Sequence, residues 1–558
     1  MSTAKSPETP PETQAELSAP GAARIAQPPA VVVVAALLLL LVLFGSIRYR
    51  LRDMPLERDE GEYAYSGQLL LQGIPPYQLA YNMKLPGIYA AYAGVMKIFG
   101  ETPAGIHLGL LAVNAATTLL LCWLVARLFG RLAGLVAAAT WSLLSTSLSV
   151  LGFEAHATNF VALPAILGII LLLYALDRNS SWLLFASGVA SGIAVLMKQH
   201  GVFFVLFCLL YLCIAIREKE QGVILLARSG AGLAAGVALP YALTCLLLYR
   251  ANVFPQFWFW TVSYASEYSK MGLRRAIRAF VENSSGVVAP AVLIWVLAAV
   301  GLTALWWGRS ARPRQKFVIL LLICSFLSLC PGAYFRPHYY ILILPAVAML
   351  AGVGVSAAAE RVEERYSSEI ATAVPLLVFA ICFGAGILAQ RHVYFLLDPP
   401  AVFASSYPAS PFSAAVQVAD YVKSHTAPTD RIAVIGSEPE IYFYAQRHGA
   451  TGYLYMYSLI VRQTYTARMR GEFLHELETN KPEYVLYVDV WDSWGERAGV
   501  LQAEPFLARL QSFMNDGYVR EGIADIGATT EYAWGRAAED YRPRSSKVIY
   551  VLRRKQPS

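Results

Sequence analysis

Charge is scarce in this chain. Only 15% of its 558 residues are Asp, Glu, Lys or Arg, while 56% are hydrophobic; an average soluble domain carries roughly 25% charge. Long stretches have no charge at all, which excludes an ordinary soluble globule. Runs of ~17 or more apolar residues are what the ~30 Å core of a bilayer demands of a helix. A strong basic surplus is also missing. The net charge is +7, and the Arg and Lys sit mainly in short loops between apolar runs, which fits a membrane protein and not a nucleic-acid binder. No polar loop holds a cysteine. Cys122, Cys208, Cys213, Cys245, Cys324, Cys330 and Cys382 all lie in apolar runs, so neither a disulfide framework nor a thiolate zinc site is readable. The first residues lack the basic region of a signal peptide, and 1–30, rich in Pro, Ala and Glu, reads as a disordered tail.

What is present is a series of spans. The run 31–47 reads as the first, followed by 105–126, 132–150, 160–176, 182–197, 201–216, 223–249, 287–307, 317–331, 339–357 and 371–390, about eleven in all. The segment 85–99 is too short to span comfortably, and its Tyr, Lys97 and small residues suit a helix lying in the interface. Gly188/Gly192 and Gly232/Gly236 are spaced for close helix packing. Arg127 and Arg131, Arg178, Arg217, Lys219 and Arg228, and Arg309 to Lys316 fall on the side of the N-terminus, which should be cytoplasmic. Arg48, Arg50 and Arg52 argue against this, but four downstream loops outweigh one flank. The C-terminal part is then outside.

From about residue 391 the composition becomes that of a soluble domain. Runs 432–435, 484–488 and 547–552 read as strands, with helices over 412–423 and 458–477, giving a small α/β domain. No Gly-rich phosphate loop follows either of the first two strands, so no nucleotide site is expected. The domains are therefore 1–30, a transmembrane unit over 31–390, and an extracytoplasmic α/β domain over 391–558.

Polar residues collect at the outer ends of the spans. The first outer loop holds Arg58-Asp59-Glu60-Gly61-Glu62, then Lys84-Leu85-Pro86. The second holds Glu154 and His156. Lys198 and His200 form a hairpin, and Tyr334 to Tyr340 brings Arg336 and His338. Trp258, Trp260 and Tyr264 suit an aromatic belt or a sugar platform. Each residue has a plain alternative: Asp59 or Glu60 as a helix cap, Glu154 and His156 as satisfied loop residues, and Lys84, Lys198 and Arg336 as snorkelling side chains. Carboxylates and cations together on one face are the stronger signal. A carboxylate can deprotonate an acceptor as it attacks a sugar carbon, and cations can neutralise a departing phosphate. Outside the cytoplasm the donor must come through the membrane, and a polyprenyl-phosphate sugar meets that need.

At Asp59-Glu60, Lys84-Leu85-Pro86 and Arg127-Leu128-Phe129-Gly130 the chain resembles the GT-C membrane glycosyltransferases, specifically the protein O-mannosyltransferases and bacterial aminoarabinose transferases. The resemblance runs from about Leu56 to Leu350. Many relatives have two prolines after the lysine where this chain has Leu85-Pro86. It implies an inverting hexosyl or pentosyl transfer, with Asp59 as base and Glu60 as its alternative. The resemblance also gives Lys84 a phosphate role; taken together with the one-sided loops, Glu60 and Glu154 would organise acceptor or metal, His156 would join the catalytic set, and Lys198, Arg336 and His338 would hold the donor phosphate with Lys84. A divalent ion occurs in some relatives, so a metal is possible; no other cofactor is expected. The implied partners are a lipid-linked donor, a lipid, glycan or protein acceptor, and the bacterial inner membrane, with no nucleic acid. A transporter or flippase of lipid-linked saccharides is the alternative, but it would place its ionisable groups near mid-membrane. A non-catalytic scaffold would tolerate replacement of the acidic loop.

Overall fold

The computed structural model describes residues 27–558 except 221, 269–271, 409, 496–503 and 557–558; the tail expected over 1–30 lies outside the described residues up to 26. Among the described residues, eight helices are long and apolar enough to cross a membrane: Ala30–Arg50, Pro103–Phe129, Ala157–Arg178, Gln199–Glu218, Val223–Arg250, Leu273–Trp307, Leu344–Glu363 and Ser368–Ala389. This is a multi-pass membrane protein. Three shorter helices, Arg131–Ser145, Ser181–Met197 and Gln315–Leu327, stand where the sequence suggested further spans. The expected interfacial segment is a helix, Gly87–Phe99. Helices Pro103–Phe129 and Arg131–Ser145 meet at Gly130, whose φ of +93° other residues rarely adopt.

The small-residue seam is real, with one exception. A Cβ on Gly188 would lie 2.2 Å from Leu233 O, one on Gly192 2.5 Å from Val237 O, and one on Gly236 2.1 Å from Phe185 O, whereas one on Gly232 would meet nothing within 4 Å among the described residues. Backbone-to-backbone contact of this kind drives helix association in lipid.

Charged loops gather at one end of the bundle. Arg127 pairs with Asp177 and Lys316 with Glu218, and Arg309 donates to Glu363 at 3.0 Å. The start of the first helix belongs to this end, since Gln27 Oε1 accepts from Leu132 N at 3.2 Å. The discordant arginines lie at the other end and have structural work there. Arg48 donates to Gly152 O at 2.5 Å and Ser145 O at 2.8 Å, and Arg50 donates to the Leu397 and Val393 carbonyls. Their number reflects loop carbonyls that need donors in a water-poor setting.

The C-terminal part is a mixed six-stranded sheet in the order β2-β1-β3-β6-β4-β5, with β1 Arg431–Ile435, β2 His448–Gly449, β3 Tyr484–Asp489, β4 Tyr518–Ile526, β5 Thr530–Trp534 and β6 Val548–Arg554. Strands β1, β2 and β3 run parallel; β6, β4 and β5 join antiparallel. The helix expected over 458–477 is two, Tyr457–Ile460 and Thr466–Asn480.

Candidate active site

Helix Arg58–Leu71 opens the site. Its first turn is fixed by a capping box: Glu57 accepts from Glu60 N at 2.9 Å, and Glu60 accepts from Glu57 N at 3.3 Å. This ties up orphan donors of the helix start and leaves Asp59, one residue along, free of the cap. Glu60 is further used by Ala155 N at 2.6 Å and His107 Nε2 at 3.1 Å.

Lys84 Nζ reaches both Asp59 Oδ1 and Glu62 Oε2 at 2.7 Å. Glu62 is fully buried, and it takes three further donors: Asn82 at 2.7 Å, Tyr89 OH at 2.6 Å and Tyr455 OH at 2.6 Å. A buried carboxylate held this way is satisfied and rigid. Asp59 differs, since 18% of its side chain is exposed while Glu60, Glu62 and Glu154 are closed off. Burial pushes the Asp59 carboxyl up, but Lys84, His156 and Arg336 outweigh it and hold the group below the ordinary carboxylate range.

Around Asp59 stand the other expected residues. His156 Nδ1 is 3.9 Å from Asp59 Oδ2 and 3.6 Å from Glu57 Oε1. The His156 and His338 rings stack at 4.0 Å. Burial lowers His156 to about 4 and pulls His338 well down too, with His156 and the Lys198 charge adding to the second. Lys198 lies 4.3 Å from the Tyr339 ring centroid; burial brings it to about 7, Asp59 opposing and Lys84 and Arg336 assisting. Burial and the neighbouring Glu60 raise Glu154 to about 7. One carboxylate kept ionised thus stands beside acids and bases pushed the other way, a combination that makes this cluster the candidate site.

Comparison with known proteins fits this geometry. Residues 84–247 match the family model described as Dolichyl-phosphate-mannose-protein mannosyltransferase, a match that begins on Lys84. No curated protein sequence matches. Among solved structures, ArnT from Cupriavidus metallidurans bound to undecaprenyl phosphate superposes with a TM-score of 0.56. It is 14% identical, over 94% of this chain and 97% of that one. The archaeal oligosaccharyltransferase AglB from Archaeoglobus fulgidus, in complex with an inhibitory peptide and a dolichol-phosphate, gives 0.51 at 12% identity, over 93% and 76%. The arabinofuranosyltransferase AftD from Mycobacteria gives 0.50 at 11%, over 95% of this chain and 40% of that one. The chain has the GT-C fold.

Within this fold the expected site residues Asp59, Lys84, His156, Lys198, Arg336 and His338 are brought together. Glu60 and Glu154 lie behind them, buried. For Glu60 the plain alternative, a helix cap, matches its bonds. Trp260 and Tyr264 are buried, and Trp260 joins the two parts by packing on Tyr81 at 5.7 Å and on Tyr453 at 5.8 Å, while Trp258 stays exposed. The sequence reading gave no role to Glu57, Glu62, Asn82, His107 or Tyr455. Glu62 could have been found, since it stands one helical turn from Asp59 on the same face.

Proposed function

We propose that the chain is an enzyme that moves a hexosyl or pentosyl group, with inversion, from a polyprenyl-phosphate donor to a lipid, glycan or protein acceptor. The observation that carries this reading is the accessible, ionised Asp59 held by Lys84 at 2.7 Å among further cations. Asp59 takes the proton of the acceptor as its oxygen or nitrogen attacks the sugar carbon. The bond from that carbon to the phosphate oxygen breaks, and the electron pair leaves with the polyprenyl phosphate. One displacement from the face opposite the phosphate inverts the centre. Lys84, Lys198 and Arg336 offset the phosphate charge, and neutral His338 can donate a hydrogen bond to it.

The donor class is supported by the mannosyltransferase match and by the polyprenyl-type phosphates bound to two proteins of the same fold. The side follows from the basic loops at the opposite end, which favour the cytoplasm; the centre and the C-terminal domain then face out from a bacterial inner membrane. A divalent ion would be held by Asp59, His156 and His338, whose ligand atoms lie within 4.8 Å of one another. Among the described residues both ring nitrogens of His156 are buried without hydrogen-bond partners, which leaves one of them available to ligate. Such an ion would supply extra charge neutralisation at the phosphate.

The test is turnover by the purified chain in proteoliposomes, offered labelled polyprenyl-phosphate hexoses and pentoses with an envelope extract as acceptor. Label should move to the extract and free polyprenyl phosphate should appear. A folded chain that consumes none of the donors overturns the reading.

A further inference from the structure

Tyr455 belongs to the C-terminal domain, yet its hydroxyl donates to Glu62 across a sequence separation of 393 residues. It does not come alone. Arg58 Nε donates to Ser437 O at 2.6 Å, and Arg58 Nη2 to Glu438 Oε1 at 3.1 Å. Leu56 N donates to Tyr444 OH, and Gly449 N to Tyr65 OH, each at 2.8 Å. A Cβ on Gly61 would lie 2.5 Å from Glu440 N. Leu56, Tyr63, Tyr89, Val434 and Val488 share one hydrophobic cluster, so the helix bearing Asp59 and the sheet are packed as parts of one core.

The consequence concerns Lys84. Its ammonium is shared between Asp59 and Glu62, and the other donors on Glu62 decide how much of that charge Glu62 claims. Tyr455, Asn82 and Lys84 all converge on the same oxygen, Oε2. Without the Tyr455 hydroxyl, Glu62 would draw Lys84 toward itself and away from Asp59.

We propose that the C-terminal domain completes the catalytic centre, with Tyr455 as a positioning residue that acts through Glu62 to seat Lys84 against Asp59. This rests on the transfer reading given above for Asp59 and Lys84.

A double-mutant cycle on the full chain tests it, using Y455F, E62Q and both together, with Y541F as control. Tyr541 is another C-terminal-domain tyrosine bonded to carboxylates, here Asp525 and Glu531. With Lys84 misseated, Y455F should lower kcat roughly 10- to 100-fold, about 1.4–2.7 kcal/mol of barrier, while its Tm stays near that of Y541F. Y455F should add little in the E62Q background, because its route is already cut. Additive losses, or wild-type kcat in Y455F, overturn the proposal. Reductive methylation of Lys84, read by mass spectrometry, runs the same cycle without turnover: Y455F should lower its rate, because the ammonium is drawn toward buried Glu62 and away from part-exposed Asp59, and Y541F should not. Wild-type protein that turns over no donor defeats the transfer reading; an unchanged Lys84 rate in Y455F defeats the positioning role by itself.

Discussion

Asp59→Asn and Lys84→Met separate chemistry from folding, because the two residues pair but have different remaining partners. In D59N the ammonium keeps Glu62 at 2.7 Å, so no buried charge is left without an opposite. Its stability should therefore change little. Losing the proposed general base should cost about 10²- to 10⁴-fold in kcat, or roughly 3–5.5 kcal/mol of barrier. In K84M Glu62 loses its cation and Asp59 loses its nearest one, keeping Arg336. Removing one partner of a buried pair costs about 3–5 kcal/mol, so K84M should unfold well below D59N as well as being inactive. Initial rates at saturating donor give the first quantity, and tryptophan fluorescence on heating in detergent gives the second. D59N within threefold of wild-type kcat, or less stable than K84M, would refute the reasoning.

Three more outcomes follow from the same geometry. Gly61→Ala puts a methyl against the Glu440 backbone, so despite the better helix former it should destabilise by about 1–3 kcal/mol and speed proteolytic release of the C-terminal domain. Glu154, raised from 4.5 to about 7, holds its proton more tightly when folded. Its contribution to stability is full below about 4.5 and is lost as pH rises through 7, on the order of 3 kcal/mol, and the Tm of E154Q should be flatter than that of wild type between pH 5 and 8. Lys198, lowered to about 7, is charged below that pH and neutral above it. The donor KM should rise between pH 7 and 9, and K198Q should show a high KM without that rise.

The transmembrane architecture was legible because bilayer thickness imposes length and apolarity on each helix. The converging loops were legible because ionisable side chains avoid the hydrocarbon, so Asp59, Lys84 and His338 stood out at span ends. The sheet was read in part. Strands β1, β3 and β6 are short apolar runs, whereas β4 carries Arg520, Glu521 and Gly522, with a register shift between Arg520 and Gly522 that breaks the alternation a strand needs to show itself. The helix expected over 458–477 fails at 461–465, where Gln463 N is taken by the Thr466 side chain, a local bond that competes with helix continuation. The stack of His156 on His338 and the Tyr455–Glu62 bond join distant segments through tertiary packing, and no local pattern encodes them.

The bond between Tyr455 and Glu62 also sets an order of events during biosynthesis. The helix bearing Asp59 is made soon after the first span, and chains fold broadly from the N-terminus as they emerge. Its partner tyrosine arrives only after the membrane part has been synthesised. Nascent and truncated chains would thus hold the Asp59 helix without the Tyr455 hydroxyl on Glu62 until the C-terminal domain had docked.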